Sequence, residues 1–220
     1  MTGTNDTPRV MTAIAVIAKA PVAGRSKTRL TPPCTPEQAA ALATAALADT
    51  LAAVAAVPGA RRVVVLDGPA GPWLPPGLEV IPQRGTGLAE RLAAAFADIG
   101  EPALVVGMDT PQLTPPMLSH ALDRLAGCDA VLGAAYDGGY WSIGLRAADD
   151  AVFAGVPMSH PATCAVQRAR LHALGLTTHE LPVLRDVDDI TDARAVAALA
   201  PRTRFARTLA ALRLPEVVAA

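Results

Sequence analysis

Short runs of apolar residues alternate along the chain with longer segments in which apolar positions recur every three or four residues. Such runs are typical of strands buried on both faces, and the longer segments are typical of amphipathic helices. The apolar runs are VMTAIAVIA at 10–18, RRVVVLDG at 61–68, GLEVIPQ at 77–83 and ALVVGMD at 103–109. The alternation predicts a mostly parallel sheet with helices on both faces.

Local signals mark where several of these elements begin and turn. Thr35, Pro36 and Gln38 form a capping-box start for a long alanine-rich helix, and Thr114 is a candidate cap for a later one. The segment DAVLGAAYDGGYWSIGL predicts two strands joined at a Gly-Gly turn. Two further helices are expected in SHPATCAVQRARLHALG and DITDARAVAALA, on either side of an extended stretch.

The fold class that follows is α/β: a single-domain three-layer α/β/α sandwich over residues 11–200. The chain of 220 residues is long enough for one domain with a substantial core. Residues 1–10 are polar and are predicted to be a disordered tail. Residues 201–220 are predicted to form an amphipathic helix and a tail. That helix would pack on the domain or on a second subunit, and the second alternative would give a homodimer.

Composition narrows the class of ligand and the compartment. The net charge is −1 and the isoelectric point is near 6.4, which argues against a nucleic-acid or membrane partner and favours a small charged ligand. Three cysteines without metal-ligand spacing indicate neither a disulfide framework nor a zinc site, so a cytoplasmic location is expected. The run at 10–18 predicts a buried strand rather than a signal peptide, and no membrane span is expected.

Both lysines of the chain fall in one loop, AKAPVAGRSKTRL, directly after the first predicted strand. Because ammonium groups and backbone N–H groups neutralise phosphate oxygens together, this loop is a candidate phosphate site. The alternative is a solvated basic loop. A nucleotide-hydrolysing P-loop is disfavoured because Gly24 is followed by Arg25 and not by lysine.

Carboxylates follow two of the predicted strands. Asp109 ends a strand and suits Mg²⁺, although it could equally cap the next turn. Four aspartates lie close together in LRDVDDITDA. Asp189 or Thr191 would cap the helix that follows and Asp192 suits its first turn, which leaves Asp186 or Asp188 for a metal.

Two glycine-containing turns complete the candidate site. Gln83, Gly85 and Thr86 precede a helix, where Gln83 would pair with the edge of a base, or the segment is only a flexible turn and cap. Asp137, beside Gly138, Gly139 and Tyr140, would bind acceptor hydroxyls, or the segment is only a hairpin turn with aromatic packing.

In their order and spacing, AKAPVAGRSKTRL, GLAERL, MDTPQL, DGGYWSIGL and DVDDITD resemble the glycosyltransferase-A-type nucleotidyltransferase superfamily. The likeness is greatest to the bacterial "transferase 1" family associated with radical-SAM and selenodomain proteins, a relative of 2-phospholactate and molybdenum-cofactor guanylyltransferases. It spans roughly Thr12 to Ala200 and implies a Rossmann-like nucleotide-diphospho-sugar transferase fold.

The resemblance implies a role for each motif. The phosphates of the nucleotide would be bound by Lys19, Gly24, Arg25, Lys27 and Arg29, and its base by Gln83, Gly85 and Thr86. A divalent cation, Mg²⁺ or Mn²⁺, would be held by Asp109 and Asp188, with Lys27 and Asp109 as the catalytic pair. The acceptor would be bound by Asp137, Gly138, Gly139 and Tyr140.

The implied reaction is nucleotidyl transfer from a nucleoside triphosphate to a small phosphate- or carboxylate-bearing acceptor. Two alternatives are glycosyl transfer from a nucleotide-sugar and nucleotide binding without turnover. The chain departs from the family at Met158, Ser159 and His160, where a Trp-Ser-Thr motif is common, so the resemblance does not define the acceptor.

Overall fold

The computed structural model describes residues 11–214, and it has the predicted layered α/β architecture. The predicted tail at 1–10 and the end of the predicted C-terminal segment, 215–220, lie outside the described residues. The strands are β1 (Ala13–Lys19), β2 (Arg61–Asp67), β3 (Glu79–Pro82), β4 (Ala103–Gly107), β5 (Ala130–Ala135), β6 (Tyr140–Leu145) and β7 (Thr178–Leu184). The helices are α1 (Pro36–Ala55), α2 (Leu88–Ile99), α3 (Pro115–Ala126), α4 (Thr163–Ala173), α5 (Ile190–Leu199) and α6 (Arg204–Ala211).

One seven-stranded sheet forms the middle layer, in the order β3-β2-β1-β4-β6-β5-β7. Every pairing is parallel except those of β6, which runs antiparallel to both β4 and β5. The predicted Gly-Gly hairpin explains the exception. A hairpin turn makes consecutive strands antiparallel, whereas a crossover helix between two strands lets them run parallel. The carboxyl ends of β1, β4, β5 and β7 therefore share one edge of the sheet with the start of β6.

The core has a layer on each face of the sheet. One face packs Leu47 and Leu51 of α1 beside Leu118 of α3. The other packs Phe96 of α2 beside Leu171 of α4. These side chains are almost fully buried, as the apolar spacing of the amphipathic segments requires.

Helix α6 packs on its own domain. Phe205 is fully buried in a third cluster with Leu30 and Leu42, and the Asp49 carboxylate accepts the backbone N–H of Phe205 at 2.8 Å. Of the two placements open from the sequence, packing on the domain is therefore the one adopted.

Helix α1 begins at the predicted capping box: Thr35 Oγ1 accepts the Gln38 N–H and Gln38 Oε1 accepts the Thr35 N–H. Among the described residues, α1 is the one helix that is long and apolar enough to cross a membrane. No membrane span was expected from the sequence. In the fold, 56% of that stretch is buried, so α1 serves as a core helix of the domain.

Candidate active site

Two adjoining cavities lie at the carboxyl edge of the sheet. The basic cavity, of about 260 Å³, is bounded by Lys19, Arg25, Lys27, Arg29, Asp109 and Asp188. The acidic cavity, of about 420 Å³, shares Arg29, Asp109 and Asp188 with it. Asp137, Tyr140, Ser159, His160 and Asp186 also line this second cavity. In parallel α/β sheets this edge is where ligands bind.

A larger groove of about 850 Å³ runs along α1, between Trp73 and α6. Alanine and proline side chains make up much of its wall, and Arg204 is its one charged lining residue. The two cavities at the sheet edge are the better candidate for chemistry, because charged groups from distant chain segments converge there.

Lys27 lies in the wall of the basic cavity. Its Nζ is 2.8 Å from Asp109 Oδ2 and 3.5 Å from Asp188 Oδ1, and it also donates to the Val187 carbonyl. The side chain is only 10% exposed. Burial alone lowers the pKa of Lys27, but the carboxylates of Asp109, Asp188 and Asp186 outweigh burial and raise that pKa above its ordinary value. The lysine is therefore a buried, charged group that is fully engaged with the protein.

The backbone of Lys27 is left-handed, with φ 51° and ψ 43°. A side chain other than glycine in this region costs roughly 1 kcal/mol or more, and such residues cluster at functional sites. Ser159, on the rim of the acidic cavity, has φ 56°. Two of the three non-glycine residues with positive φ among residues 11–214 thus lie at this site.

The other predicted phosphate ligands form the walls of the basic cavity or support it. Arg29, whose side chain is 72% exposed, donates to Asp188 Oδ2 at 2.8 Å. Lys19 and Arg25 line the same cavity. Gly24 does not line it; with φ 75° it permits the turn in which the Arg25 and Ser26 N–H groups bind the Val22 carbonyl.

Asp188 belongs to a cluster of carboxylates with Asp137 and Asp186. One carboxylate oxygen from each of Asp137, Asp186 and Asp188 lies within 4.8 Å of the other two. The predicted pair of Asp109 and Asp188 is instead bridged by Lys27. The structure thus brings Asp137, expected on the acceptor side, and Asp186, left as an alternative to Asp188, into one carboxylate cluster.

This donor set fits a hard divalent cation. Carboxylate oxygens are what Mg²⁺ and Mn²⁺ bind, and Asp109 Oδ1 is buried without a hydrogen-bond partner among the described residues. Burial raises the pKa of Asp186 to about 6, and Asp137 and Asp188 add to this rise. A cation would relieve this mutual repulsion, so the chemistry of the cluster agrees with a metal site.

The raised pKa of Asp186 gives a pH prediction for the ligand-free protein. Since its pKa rises from 3.8 to about 6 on folding, the folded state binds more protons between these values, and the free energy of unfolding falls as pH rises through them. We expect Asp186→Asn to raise the free energy of unfolding by roughly 1–2 kcal/mol at neutral pH, a value reduced for solvent screening. Urea denaturation in EDTA at acidic and neutral pH measures this.

The control for this prediction is Asp123→Asn, which changes an exposed carboxylate on α3. An Asp186→Asn protein that loses stability at neutral pH, or that keeps the wild-type pH slope, would contradict the prediction.

The β5–β6 turn and residues 158–161 form the far wall of the acidic cavity. Asp137 Oδ1 accepts the Gly139 N–H at 2.8 Å, and the Gly138 carbonyl accepts the Cys164 N–H at 2.8 Å. A Cβ on Gly138 would lie 1.9 Å from the Pro161 carbonyl oxygen. The turn and residues 158–161 are therefore in contact through backbone, which only glycine at 138 allows.

Tyr140 and His160 lie at this wall, and each has a contact with a neighbouring residue. Burial raises the pKa of Tyr140 far above its ordinary value, and its hydroxyl lies 3.7 Å from Met158 Sδ. His160 Nδ1 accepts the Ala162 N–H at 3.1 Å, so in the neutral ring the proton is on Nε2. The sequence marked residues 158–160 as a departure and gave them no role; in the structure they line the acidic cavity.

The residues predicted to bind the base have hydrogen-bond partners within the protein. Gln83 Nε2 donates to the carbonyls of Ala18 at 2.7 Å and Val65 at 3.0 Å, and its Oε1 accepts from Arg91 at 3.0 Å. The side chain that was expected to read a base edge therefore ties the ends of β1 and β2 together. Sequence reasoning missed this because the carbonyls it binds belong to the backbone.

The other two residues of that turn also have close contacts within the protein. The Thr86 N–H and hydroxyl both donate to Glu90 Oε2 at 2.7 Å. Gly85 has φ 112°, and a Cβ there would lie 2.7 Å from Glu90 Cβ. Neither residue lines the two cavities, and the alternative of a turn and cap describes both.

Solved structures with this architecture include transferases. The "putative nucleotide-diphospho-sugar transferase" of Desulfovibrio desulfuricans G20 is 27% identical, with a TM-score of 0.81 over 92% of this chain and 94% of that one. A CMP:2-keto-3-deoxy-manno-octonic acid synthetase complexed with CTP is 12% identical, with a TM-score of 0.57 over 87% of this chain and 99% of that one. A cytidylyltransferase from Leptospira borgpetersenii is 11% identical, with a TM-score of 0.54 over 96% of this chain and 100% of that one. The fold is thus that of the nucleotide-diphospho-sugar transferases.

No curated protein sequence matches the chain. A family model described as "Uncharacterized protein conserved in bacteria (DUF2064)" matches residues 40–160, more than half of the 220 residues. The matched segment includes Asp109 and Asp137. With this match and the shared fold, the chain belongs to the DUF2064 family.

Proposed function

We propose that the protein is a nucleotidyltransferase that uses a nucleoside triphosphate and a divalent cation, Mg²⁺ or Mn²⁺. The observation that carries the proposal is the joining of a cavity with four basic side chains to a cavity with a carboxylate cluster, at the carboxyl edge of the sheet. A triphosphate needs several positive charges, and its departing pyrophosphate needs a cation. The named transferases of the same fold support this class of reaction.

Each wall of the site has a role in the proposed mechanism. Lys19, Arg25, Lys27 and Arg29 would bind the phosphates, and Asp109, Asp188 and their carboxylate neighbours would hold the cation. When bound, the cation would neutralise charge on the phosphates and orient them. An oxygen of the acceptor attacks the α-phosphorus, forming an O–P bond, while the bond to the β-phosphate oxygen breaks and pyrophosphate leaves. Lys27 stabilises the charge that develops on the phosphates.

The acceptor would bind at the β5–β6 turn, against Asp137, Gly138, Gly139 and Tyr140. We propose a small acceptor that bears a phosphate or a carboxylate. The carboxylates of this wall repel such an acceptor unless a cation is present, so the proposal requires the cation to bind before the acceptor.

The second candidate function is glycosyl transfer from a nucleotide-sugar. The description of the 27% identical D. desulfuricans protein as a nucleotide-sugar transferase favours it. In that reaction the acceptor attacks the anomeric carbon and a nucleoside diphosphate leaves. Four basic side chains suit a triphosphate better than a diphosphate. Nucleotidyl transfer is therefore the preferred candidate function.

A thermal-shift panel tests the proposal. GTP, CTP, UTP, ATP and common nucleotide-sugars are each added with and without Mg²⁺, because a ligand that binds only the folded state must raise its stability. We expect a Mg²⁺-dependent rise in Tm with one triphosphate, and its loss in Asp109→Asn but not in Asp98→Asn. Release of pyrophosphate with candidate acceptors then measures turnover.

The outcomes separate the candidate functions. A shift with nucleotide-sugars alone favours glycosyl transfer. A triphosphate shift with no product from any acceptor favours a protein that binds nucleotide without turnover. No shift with any nucleotide contradicts the proposal.

A further inference from the structure

The three hydrogens of the Lys27 ammonium group have three acceptors within the protein. They are Asp109 Oδ2, Asp188 Oδ1 and the Val187 carbonyl. An ammonium group has three donors and no acceptor, so none is left for a phosphate. In this structure the lysine that the proposed function assigns to the nucleotide is withheld from it.

The position of Nζ among these oxygens is that of a cation among its ligands. Two carboxylates from distant segments and one carbonyl surround it, and the side chain is 10% exposed. Divalent cations prefer the same groups, carboxylate and carbonyl oxygens. Lys27 and a divalent cation therefore compete for the same carboxylates. The two positive charges would also repel each other if both were bound there.

Asp109 favours the exchange through its second oxygen. Oδ1 is buried and has no hydrogen-bond partner among residues 11–214, a state that is costly for a carboxylate. The ammonium group satisfies Oδ2 and leaves Oδ1 without a donor. Buried charges are paired or coordinate metal ions, so this oxygen is available as a ligand to a cation.

The loop around Lys27 gives the released side chain a destination. Lys27 starts a short 3-10 turn, Thr28–Leu30, in a left-handed conformation, and the basic cavity lies beside it with Lys19, Arg25 and Arg29 in its wall. A rotation of the side chain away from Asp109 would bring Nζ into that cavity, among the other cations, where a phosphate would compensate the charge.

We propose that Lys27 is the built-in counter-cation of Asp109 and Asp188, and that a divalent cation displaces it into the basic cavity, where it becomes available to phosphates. The site then works in an order: the cation binds first, and its binding creates the complete phosphate site. The inference rests on the proposed function in taking a divalent cation as the ligand. Its test uses no nucleotide.

The two lysines of the chain make the test direct. Full-length protein is labelled with an amine-reactive reagent, and mass spectrometry measures the labelling rates of Lys19 and Lys27 separately. Without divalent cations we expect Lys27 to react at least about tenfold more slowly than Lys19, since its side chain is buried and fully hydrogen-bonded. With saturating MgCl₂ or MnCl₂ we expect its rate to rise several-fold, and that of Lys19 to stay nearly constant.

An unchanged or lower rate at Lys27 with either cation overturns the inference. An equal rise at both lysines also overturns it, because that result indicates general loosening of the loop.

A second experiment measures the competition itself. Lys27→Met keeps most of the unbranched side chain and removes its charge, so the affinity for Mn²⁺ measured by calorimetry should rise about tenfold or more. The matched control is Lys19→Met, which removes the other lysine of the same loop and should change the affinity far less. Equal effects of the two substitutions contradict the inference. Should Lys27→Met fail to fold, the labelling of the wild-type protein still decides.

The results separate this inference from the proposed function. Release of Lys27 by Mn²⁺ together with no thermal shift from any nucleotide leaves the exchange standing and removes the nucleotidyltransferase. A Mg²⁺-dependent nucleotide shift in a protein whose Lys27 stays slow removes the exchange and leaves the nucleotidyltransferase.

Discussion

Replacing Gly138 by alanine is expected to lower the free energy of unfolding by about 3–5 kcal/mol. The backbone there has φ 89°, and the added Cβ would lie 1.9 Å from the Pro161 carbonyl oxygen and 2.6 Å from its carbon. Neither atom is at the end of a flexible side chain, so the β5–β6 turn and residues 158–161 must separate. The wall of the acidic cavity would open with them, and any acceptor binding would be lost.

The control for this prediction is Gly77→Ala. Gly77 has φ 83° and no atom within 4 Å of an added Cβ, so this substitution carries the cost of the backbone conformation without the clash. We expect a loss of about 1 kcal/mol for it. Urea denaturation of both variants measures the difference. Equal losses in the two variants would show that the contact at Pro161 is not tight.

Replacing Asp109 by alanine is expected to lower the free energy of unfolding by about 2–4 kcal/mol. The substitution removes the nearest counter-charge of Lys27, whose side chain is 10% exposed. Breaking one side of a buried pair costs far more than the pair itself contributes, because it leaves a desolvated charge. Asp188, at 3.5 Å, compensates part of that charge, so the loss stays below the highest values known for buried pairs.

Asp98→Ala is a closely matched control. The Asp98 side chain is 30% exposed and that of Asp109 is 32% exposed, but the partner of Asp98 is Arg84, which is 58% exposed. An exposed pair contributes about 0–1 kcal/mol. Denaturation of the two variants at the same ionic strength therefore compares a buried partner with an exposed one. A similar loss in both would contradict the description of Lys27 as a buried charge.

Much of the fold could be predicted because local rules and the tertiary structure agree. Strands β1 and β4 are apolar on both faces, as strands in the middle of a parallel sheet must be. The caps at Thr35 and Asp189 hydrogen-bond within their own first turns, so short-range sequence patterns are enough to find them. The reversal at Gly138 was likewise visible as a turn signal.

The candidate site was only partly predictable, because its contacts join residues far apart in sequence. The sequence indicated that the basic loop, Asp109 and the turn at Asp137 lie at strand ends, and strand ends of a parallel sheet meet at one edge. It did not indicate that Lys27 bridges the two carboxylates, or that Asp137 and Asp186 complete a cluster with Asp188. Those contacts depend on side-chain rotamers and on burial, and neither produces a periodic pattern in the sequence.

The contacts of Gln83 could not be predicted from the sequence either. An amide next to two glycines suggested a base contact, but its hydrogen bonds go to the carbonyls that end β1 and β2. A side chain that binds backbone leaves no signature in residue type, since every residue supplies the same carbonyl group.

The contacts of Lys27 also have a consequence for the order in which the protein is made. Lys27 lies 160 residues from Val187 and 161 from Asp188. A nascent chain that has reached only β6 contains the basic loop and Asp109 but not Val187 or Asp188, so during synthesis Lys27 lacks two of its three acceptors. Contacts of such long separation form late in folding. The complete set of contacts around Lys27 is therefore formed only after the segment that carries Val187 and Asp188 has been made.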